Sequence, residues 1–300
     1  MASPRPRPPS GEQFQISFAG QRATITEVGG TLREYLAGER SIVEGFELDE
    51  ICSGARGQVL APWPNRVRDG AYEFGGRHLQ LALSEPERRH AIHGLVRWVP
   101  WRPLERSPER VRLGCTIHPQ PGYPFTVDLG VAYSLGAEGL LVSVVARNSG
   151  VEPAPFGVGH HPYLRPATGE LGQARLRVPA DRRLEVDAQM IPTGVALPVA
   201  GTPIDFREER PVGEAVLDTC FTGFDRRWVE VDGVRLWWDP SYSFVQVFTG
   251  DTLSPDRRRR GLAVEPMSCP PDAFNSGTGL VVLEAGEAWS GAWGITPPAR

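Results

Sequence analysis

Proton-moving residue types concentrate in a few unusual segments of the chain. Gly157-Val-Gly-His-His161-Pro-Tyr163 sets two histidines ahead of a proline, and Ala263-Val-Glu265-Pro266 sets a carboxylate after an apolar stretch. An imidazole titrates near neutral pH, which makes His161 a natural partner for a carboxylate in general acid–base work. Pro162 biases His161 toward extended backbone, and Gly157 and Gly159 allow the chain to approach a neighbour closely. Glu265 is expected at a strand end, because Pro266 stops the pairing. A surface glutamate closing a strand and a core histidine bonded to a carbonyl fit the same residues. His160 and His161 point to opposite faces if their segment is a strand, so they cannot readily share one ion, and no metal is expected.

Further upstream, Pro64-Asn65-Arg66 offers a planar fork of donors suited to hydroxyl pairs and carboxylates. Ile92-His93-Gly94 reads by default as a turn histidine. Trp98 and Trp101 suit a core, although an indole can also stack on the apolar face of a sugar ring. The run Arg257-Arg-Arg-Arg260 reads as a solvated loop rather than a site for anionic partners.

Short strands must position these groups. Phe14–Phe18 and Arg22–Val28 around Gly20 read as a hairpin, as do Tyr72–Phe74 and His78–Leu81 around Gly75-Gly76. The Asp232-Gly233 pair between Val229–Val231 and Val234–Trp238 carries the strongest hairpin signal, because it accepts the positive backbone angles of a tight primed turn. Further strands are expected at 127–135, 140–147, 243–249 and 280–284. No long stretch shows a 3.6-residue apolar stripe. The fold class is therefore all-β, an antiparallel sandwich or barrel.

The chain has 300 residues, enough to bury a full core. Residues 1–10 read as a proline- and arginine-rich disordered tail and 11–300 as one domain. A net charge of −4 argues against a nucleic-acid partner. All 32 basic residues are arginine, which removes Schiff-base chemistry and Walker-type phosphate loops. Cys52, Cys115, Cys220 and Cys269 show no paired C-x-x-C spacing and are expected to be free thiols. No signal peptide or membrane-spanning run is visible, so a cytoplasmic protein is expected. A monomer or weak homodimer is the default.

Taken together, these segments resemble the aldose 1-epimerase (mutarotase) family over about residues 15–295. The resemblance rests on Pro64-Asn-Arg66, Ile92-His93-Gly94, Gly159-His-His161-Pro-Tyr163, Asp218-Thr-Cys-Phe221, Val245-Gln-Val-Phe-Thr-Gly250 and Val264-Glu265-Pro266, in that order. Leu60-Ala-Pro-Trp-Pro-Asn-Arg66 and Ser84-Glu-Pro-Glu-Arg88, ahead of His93-Gly-Leu-Val-Arg-Trp98, are similar to a bacterial branch of it. The resemblance implies a large antiparallel β-sandwich, the galactose mutarotase-like supersandwich, with few short helices and a sugar in an open cleft. It also implies Glu265 as general base and His161 as general acid. Arg66, His93 and Asp218 would hold and polarise the sugar, and Asn65, Tyr163 and Gln246 would make secondary contacts. No metal or organic cofactor is implied.

Inverting an anomeric centre needs a base for the anomeric hydroxyl and an acid for the ring oxygen. Free Glu has pKa ~4.3 and free His ~6.5. Glu265 is expected ionised at pH 7, with His161 held protonated by a nearby carboxylate. Competing readings are an enzyme of the same fold acting on a hexose phosphate or sulfo-sugar, a noncatalytic carbohydrate-binding protein, and a cupin-like metal isomerase. The first would need an added anion site, for which Arg97, Arg102 and Arg68 are candidates.

Overall fold

Asp232 and Gly233 turn the chain at φ 49° and 77°, joining Trp228–Val231 to Val234–Trp238 as expected. Gln13–Phe18 and Gln21–Thr26 form the first hairpin, and Ala71–Phe74 and Arg77–Gln80 form the second. The expected strands appear as Val127–Gly136, Gly139–Asn148, Phe244–Phe248 and Val281–Leu283. These come from a computed structural model that describes residues 7–298. Of the expected N-terminal tail, residues 1–6 lie outside the described residues. Ser10 is buried, and its carbonyl accepts the Val28 N–H.

The fold is all-β. Among the described residues the only α-helix is the single turn Ala273–Ser276. None of the described helices is long and apolar enough to cross a membrane. A nine-stranded antiparallel sheet has Gly139–Asn148 and Ala288–Thr296 near its centre. An eight-stranded sheet runs from Pro192–Pro198 through Ala180–Val186, Asp218–Phe224, Phe244–Phe248 and Leu262–Met267 to Gly159–His160 and Val59–Leu60, with Tyr163–Leu164 also pairing with Leu262–Met267. A four-stranded sheet begins the chain.

Alternation along the strands decides what each sheet buries. Val142, Val144, Trp293 and Ile295 of the larger sheet join Val245, Val247 and Val264 of the smaller one in a single apolar cluster. Phe14, Ile16, Ile25 and Tyr35 extend it into the four-stranded sheet. His160 joins the two large sheets directly, its ring centroid 5.1 Å from that of Trp293. Gln246 and Glu265 are register partners, and each alternates with the valines that face this core. They therefore project from the opposite face of the eight-stranded sheet.

Glu265 does not end its strand, contrary to the expectation from Pro266. Pairing continues through Val245↔Pro266 and Phe244↔Met267. On the other edge, Val264 N–H donates to Pro162 and Ser268 N–H donates to Val158. By the strand period, Pro266 faces the same edge between them. There the neighbouring chain is interrupted, since Gly159–His160 and Tyr163–Leu164 pair separately with this strand. The missing Pro266 N–H thus falls where no ladder bond is required.

Gly94 brings the His93 turn against the Pro62–Arg66 segment. It has φ +70°, and a Cβ there would lie 2.0 Å from the Ala61 carbonyl oxygen. Gly94→Ala is expected to cost about 2 kcal/mol or more, because strain and clash add. Thermal denaturation should show a midpoint lowered by several degrees, and an unchanged midpoint contradicts this packing.

Candidate active site

A cleft of about 280 Å³ opens on the face of the eight-stranded sheet that carries Glu265. That is at the small end of ligand pockets, typically ~300–1,000 Å³. Asn65, Arg66, His93, His161, Tyr163, Asp218 and Glu265 all line it. The eighth expected residue, Gln246, does not line it. Gln246 is buried and donates through Nε2 to Asp218 Oδ1 at 2.6 Å, so it orients that carboxylate. Asp218 opens the strand Asp218–Phe224, next to the Gln246 strand in the sheet.

Asn65 and His93 form a reciprocal pair in left-handed backbone, at φ 55° and 64°. His93 N–H donates to the Asn65 carbonyl at 2.8 Å. Asn65 N–H donates to His93 Nδ1 at 3.2 Å, which assigns the remaining ring proton to Nε2. Burial, with the nearby His161, Arg97 and Arg66 charges, pushes the His93 pKa well below the usual imidazole range. His93 is therefore a neutral donor. Its ring meets the His161 ring edge to face at 5.3 Å.

Arg66 sits in the short strand Arg66–Val67, with Nε and Nη2 held by the two oxygens of Glu85 at 2.8 and 2.9 Å. Burial opposes the Arg66 charge, but Glu85, Asp218 and Glu265 outweigh it and raise the pKa. The same pairing holds Glu85 below its ordinary range despite its burial. Glu85 carries no local sequence signal beyond the Ser84-Glu-Pro-Glu-Arg88 segment, because its partner is fixed only by tertiary structure.

His161 Nε2 lies 3.3 Å from Glu265 Oε1, with the side chains 6% and 2% exposed. Burial pushes the His161 imidazole pKa down, and the Arg97 and Arg56 charges reinforce this. Burial also pushes the Glu265 carboxyl well up, with Asp218 adding and Arg66 opposing. The directions of both shifts run against the expectation of an ionised Glu265 facing a protonated His161. Desolvation favours the neutral arrangement, with the shared proton on the carboxyl. Tyr163 stacks on His161 at 5.0 Å and 15°. Its hydroxyl is already engaged, donating to the Gly54 carbonyl at 3.0 Å, so Tyr163 offers the cleft a ring surface.

Of the three arginines considered for an anion site, only Arg97 lines the cleft. Arg68 pairs with Asp187 at 3.0 Å and lies 4.0 Å from Asp272. Arg102 is exposed on an edge strand of the nine-stranded sheet. Trp101 is buried, whereas Trp98 is exposed, and the Arg97 guanidinium lies 5.9 Å from its ring centroid. The arginine run is not simply solvated. Arg257 pairs with Glu50 and lies 3.8 Å from Glu44, while Arg259 pairs with Asp251 at 3.1 Å. Those carboxylates hold the loop whose Thr252 and Leu253 form one wall of the cleft.

His160 and His161 do face opposite sides, one toward Trp293 and the other toward Glu265. Among the described residues no group of three or more His, Cys, Asp or Glu side chains is arranged to hold a metal ion. All four cysteines are free.

A sequence profile described as aldose 1-epimerase matches residues 12–296. The chain belongs to the aldose 1-epimerase family. It is 34% identical over 291 residues to the uncharacterized protein YihR of Escherichia coli K12, covering 93% of this chain and 91% of YihR. It is 28% identical over 238 residues to human galactose mutarotase, covering 72% and 68% of the two chains. Among solved structures, the GalM/aldose epimerase homologue of C. elegans superposes with a TM-score of 0.85 at 20% identity, covering 96% and 99%. Galactose 1-epimerase of Lactobacillus acidophilus superposes at 0.78 and 20% identity, covering 94% and 93%. The all-β sandwich is thus the galactose mutarotase-like fold of this family.

The two cleft imidazoles should resist protonation. Below the unfolded imidazole pKa of ~6.5, the unfolded chain binds protons that folded His93 and His161 refuse, so this pair lowers stability as pH falls. Nitrogen-15 NMR of the histidine rings should show His93 and His161 neutral at pH 5.5. Titration of both near 6.5 contradicts the burial argument.

Proposed function

We propose that the protein interconverts the α and β anomers of an aldohexose by ring opening and reclosure. The observation that carries this reading is the buried His161–Glu265 contact, a matched acid and base at the floor of a sugar-sized cleft. Glu265 takes the proton of the anomeric hydroxyl, the C1–O5 bond breaks, and the C1 carbonyl forms. His161 donates its proton to O5. Rotation about C1–C2 presents the other face, and the two residues exchange roles for closure.

The proton inventory suits this cycle. Opening converts ionised Glu265 and protonated His161 into a protonated carboxyl and a neutral imidazole, with one proton on the pair throughout. The neutral arrangement that burial favours is the arrangement reached after opening. Sugar hydroxyls donating to Glu265, together with Arg66, would stabilise the ionised form needed at the start. Arg66 and the neutral His93 Nε2–H would polarise the oxygens, and Asp218 would accept from sugar hydroxyls.

Purified protein mixed with fresh α-D-glucose or α-D-galactose should accelerate mutarotation followed by polarimetry or NMR. His161→Ala and Glu265→Ala should each lose at least ~10²-fold in kcat, since each proton transfer is typically worth ~10²–10⁴. Arg66→Ala should raise KM and lower kcat together. Near wild-type turnover in either alanine variant of the pair overturns the assignment.

The pH profile gives an independent check. The pair keeps a single proton until His161 accepts a second, and burial moves that event well below ~6.5. kcat/KM should therefore stay level from pH 7 to 5. A fall centred near 6.5 contradicts it.

One observation favours a sugar carrying an anionic group. Arg97 lines the cleft with its Nε buried and unpartnered, and no carboxylate among the described residues lies within ion-pair distance of it. If that charge serves the substrate, a hexose phosphate should compete with glucose in wild-type protein and lose its advantage in Arg97→Ala. Equal weak competition in both proteins favours a neutral aldose.

A further inference from the structure

We infer that Glu85 is the positioning residue of this cleft, setting the direction in which Arg66 offers its free N–H groups to the sugar. This rests on the anomer-exchange reading above. Glu85 occupies Nε and Nη2 of Arg66 at once, at 2.8 and 2.9 Å, which fixes the plane of the guanidinium. The edge bearing Nη1 remains, 3.4 Å from Asn65 Oδ1, beside the cleft. Among the described residues Arg66 makes no other ion pair, and the long bond to Asn65 is the weaker of its two side-chain restraints.

Glu85 is itself held from three directions. Its backbone N–H and C=O exchange hydrogen bonds with His90 at 2.9 and 3.1 Å, closing the turn that contains Arg88. Arg88 Nη1 donates to Oε1 at 2.9 Å. The buried His90 ring pins the turn, because Nδ1 accepts the Asp69 N–H at 3.2 Å and Nε2 donates to the Gln189 carbonyl at 3.0 Å. The Glu85 carboxylate is thus fixed before the sugar arrives, and the geometry it imposes costs no reorganisation on binding. It also supplies one negative charge to two guanidiniums at the rim, which leaves that wall net positive.

The test is a double-mutant cycle on mutarotation kinetics with Glu85→Gln, Arg66→Ala and the pair together. Glu85→Gln keeps the side-chain size and removes one of the two acceptors. It should lower kcat at least tenfold with a smaller rise in KM. In the Arg66→Ala background the same change should cost less than twofold. Equal losses in both backgrounds mean that Glu85 acts through the general stability of the loop, and they overturn the proposal. Glu85→Asp, with its charge kept, should recover part of the lost kcat. If Glu85→Gln folds poorly, Glu85→Asp alone serves, and wild-type kcat with a displaced Arg66 overturns the idea. Absence of any acceleration by wild-type protein overturns the anomer-exchange reading instead. The Glu85 claim is then judged by the crystal structure of Glu85→Gln, in which an unmoved Arg66 guanidinium overturns it.

Discussion

Water exclusion at the contact between Glu265 and His161 sets the direction in which the proton affinity of each group moves. Two exposed groups of these types would titrate independently, at ~4.3 and ~6.5. Buried on a sheet face, the carboxyl is pushed toward its protonated form and the imidazole toward its neutral form. Each neighbour moves that balance in a known direction. Asp218 favours the protonated carboxyl, Arg66 favours the ionised one, and Arg97 and Arg56 disfavour the imidazolium. Desolvation of such a pair is costly, so the surrounding sheet must be stable enough to impose it. The cluster of apolar side chains shared by both large sheets provides that stability.

The architecture divides the work between regular and irregular segments. Strands of the eight-stranded sheet present Asp218, Gln246 and Glu265 at fixed spacing and in fixed register. Outside that sheet, Asn65 and His93 sit in left-handed backbone that strands do not allow, Arg66 lies in the two-residue strand that follows Asn65, and Glu85 opens the turn closed by His90. The loops are held by polar contacts as well as by apolar anchors such as Trp63, Val67 and Val96. Gln58 Nε2 donates to the Arg97 carbonyl, Arg257 ties the 251–260 loop to Glu50, and His90 ties Asp69 to Gln189. Rigid sheet and stapled loops together fix the geometry of the cleft.

Much of this could be read from the chain before folding. Period-two apolar patterns and glycine turns marked the hairpins around Gly20, Gly75-Gly76 and Asp232-Gly233, because both signals are local. The cleft residues were legible as a set of motifs in order, and the resemblance they carry supplied their proposed roles. What stayed hidden was non-local. Glu85 looks like any glutamate until Arg66 is folded beside it, 19 positions away in sequence. Arg257 looks solvated until Glu44 and Glu50 arrive from the far end of the chain. Pro266 looks like a strand terminator until its neighbour breaks at the same place. The proton on Glu265 is a property of burial, which no residue type reveals alone.

The adjacency of His160 and His161 has a consequence for how the chain finds its register. The two share one chemistry, yet one is packed against Trp293 between the sheets and the other meets Glu265 in the cleft. A slip of one residue in the Gly159–His160 segment would exchange them across the sheet. The wrong pairing would still present an imidazole to Glu265, so the cleft alone could not reject it. Rejection must come from elsewhere. After such a slip, the site Gly159 vacates, where a Cβ would stand 2.8 Å from Pro64, would hold a side chain. The absent side chain of Gly159 thus discriminates between two otherwise equivalent rings and fixes the alignment of the strand.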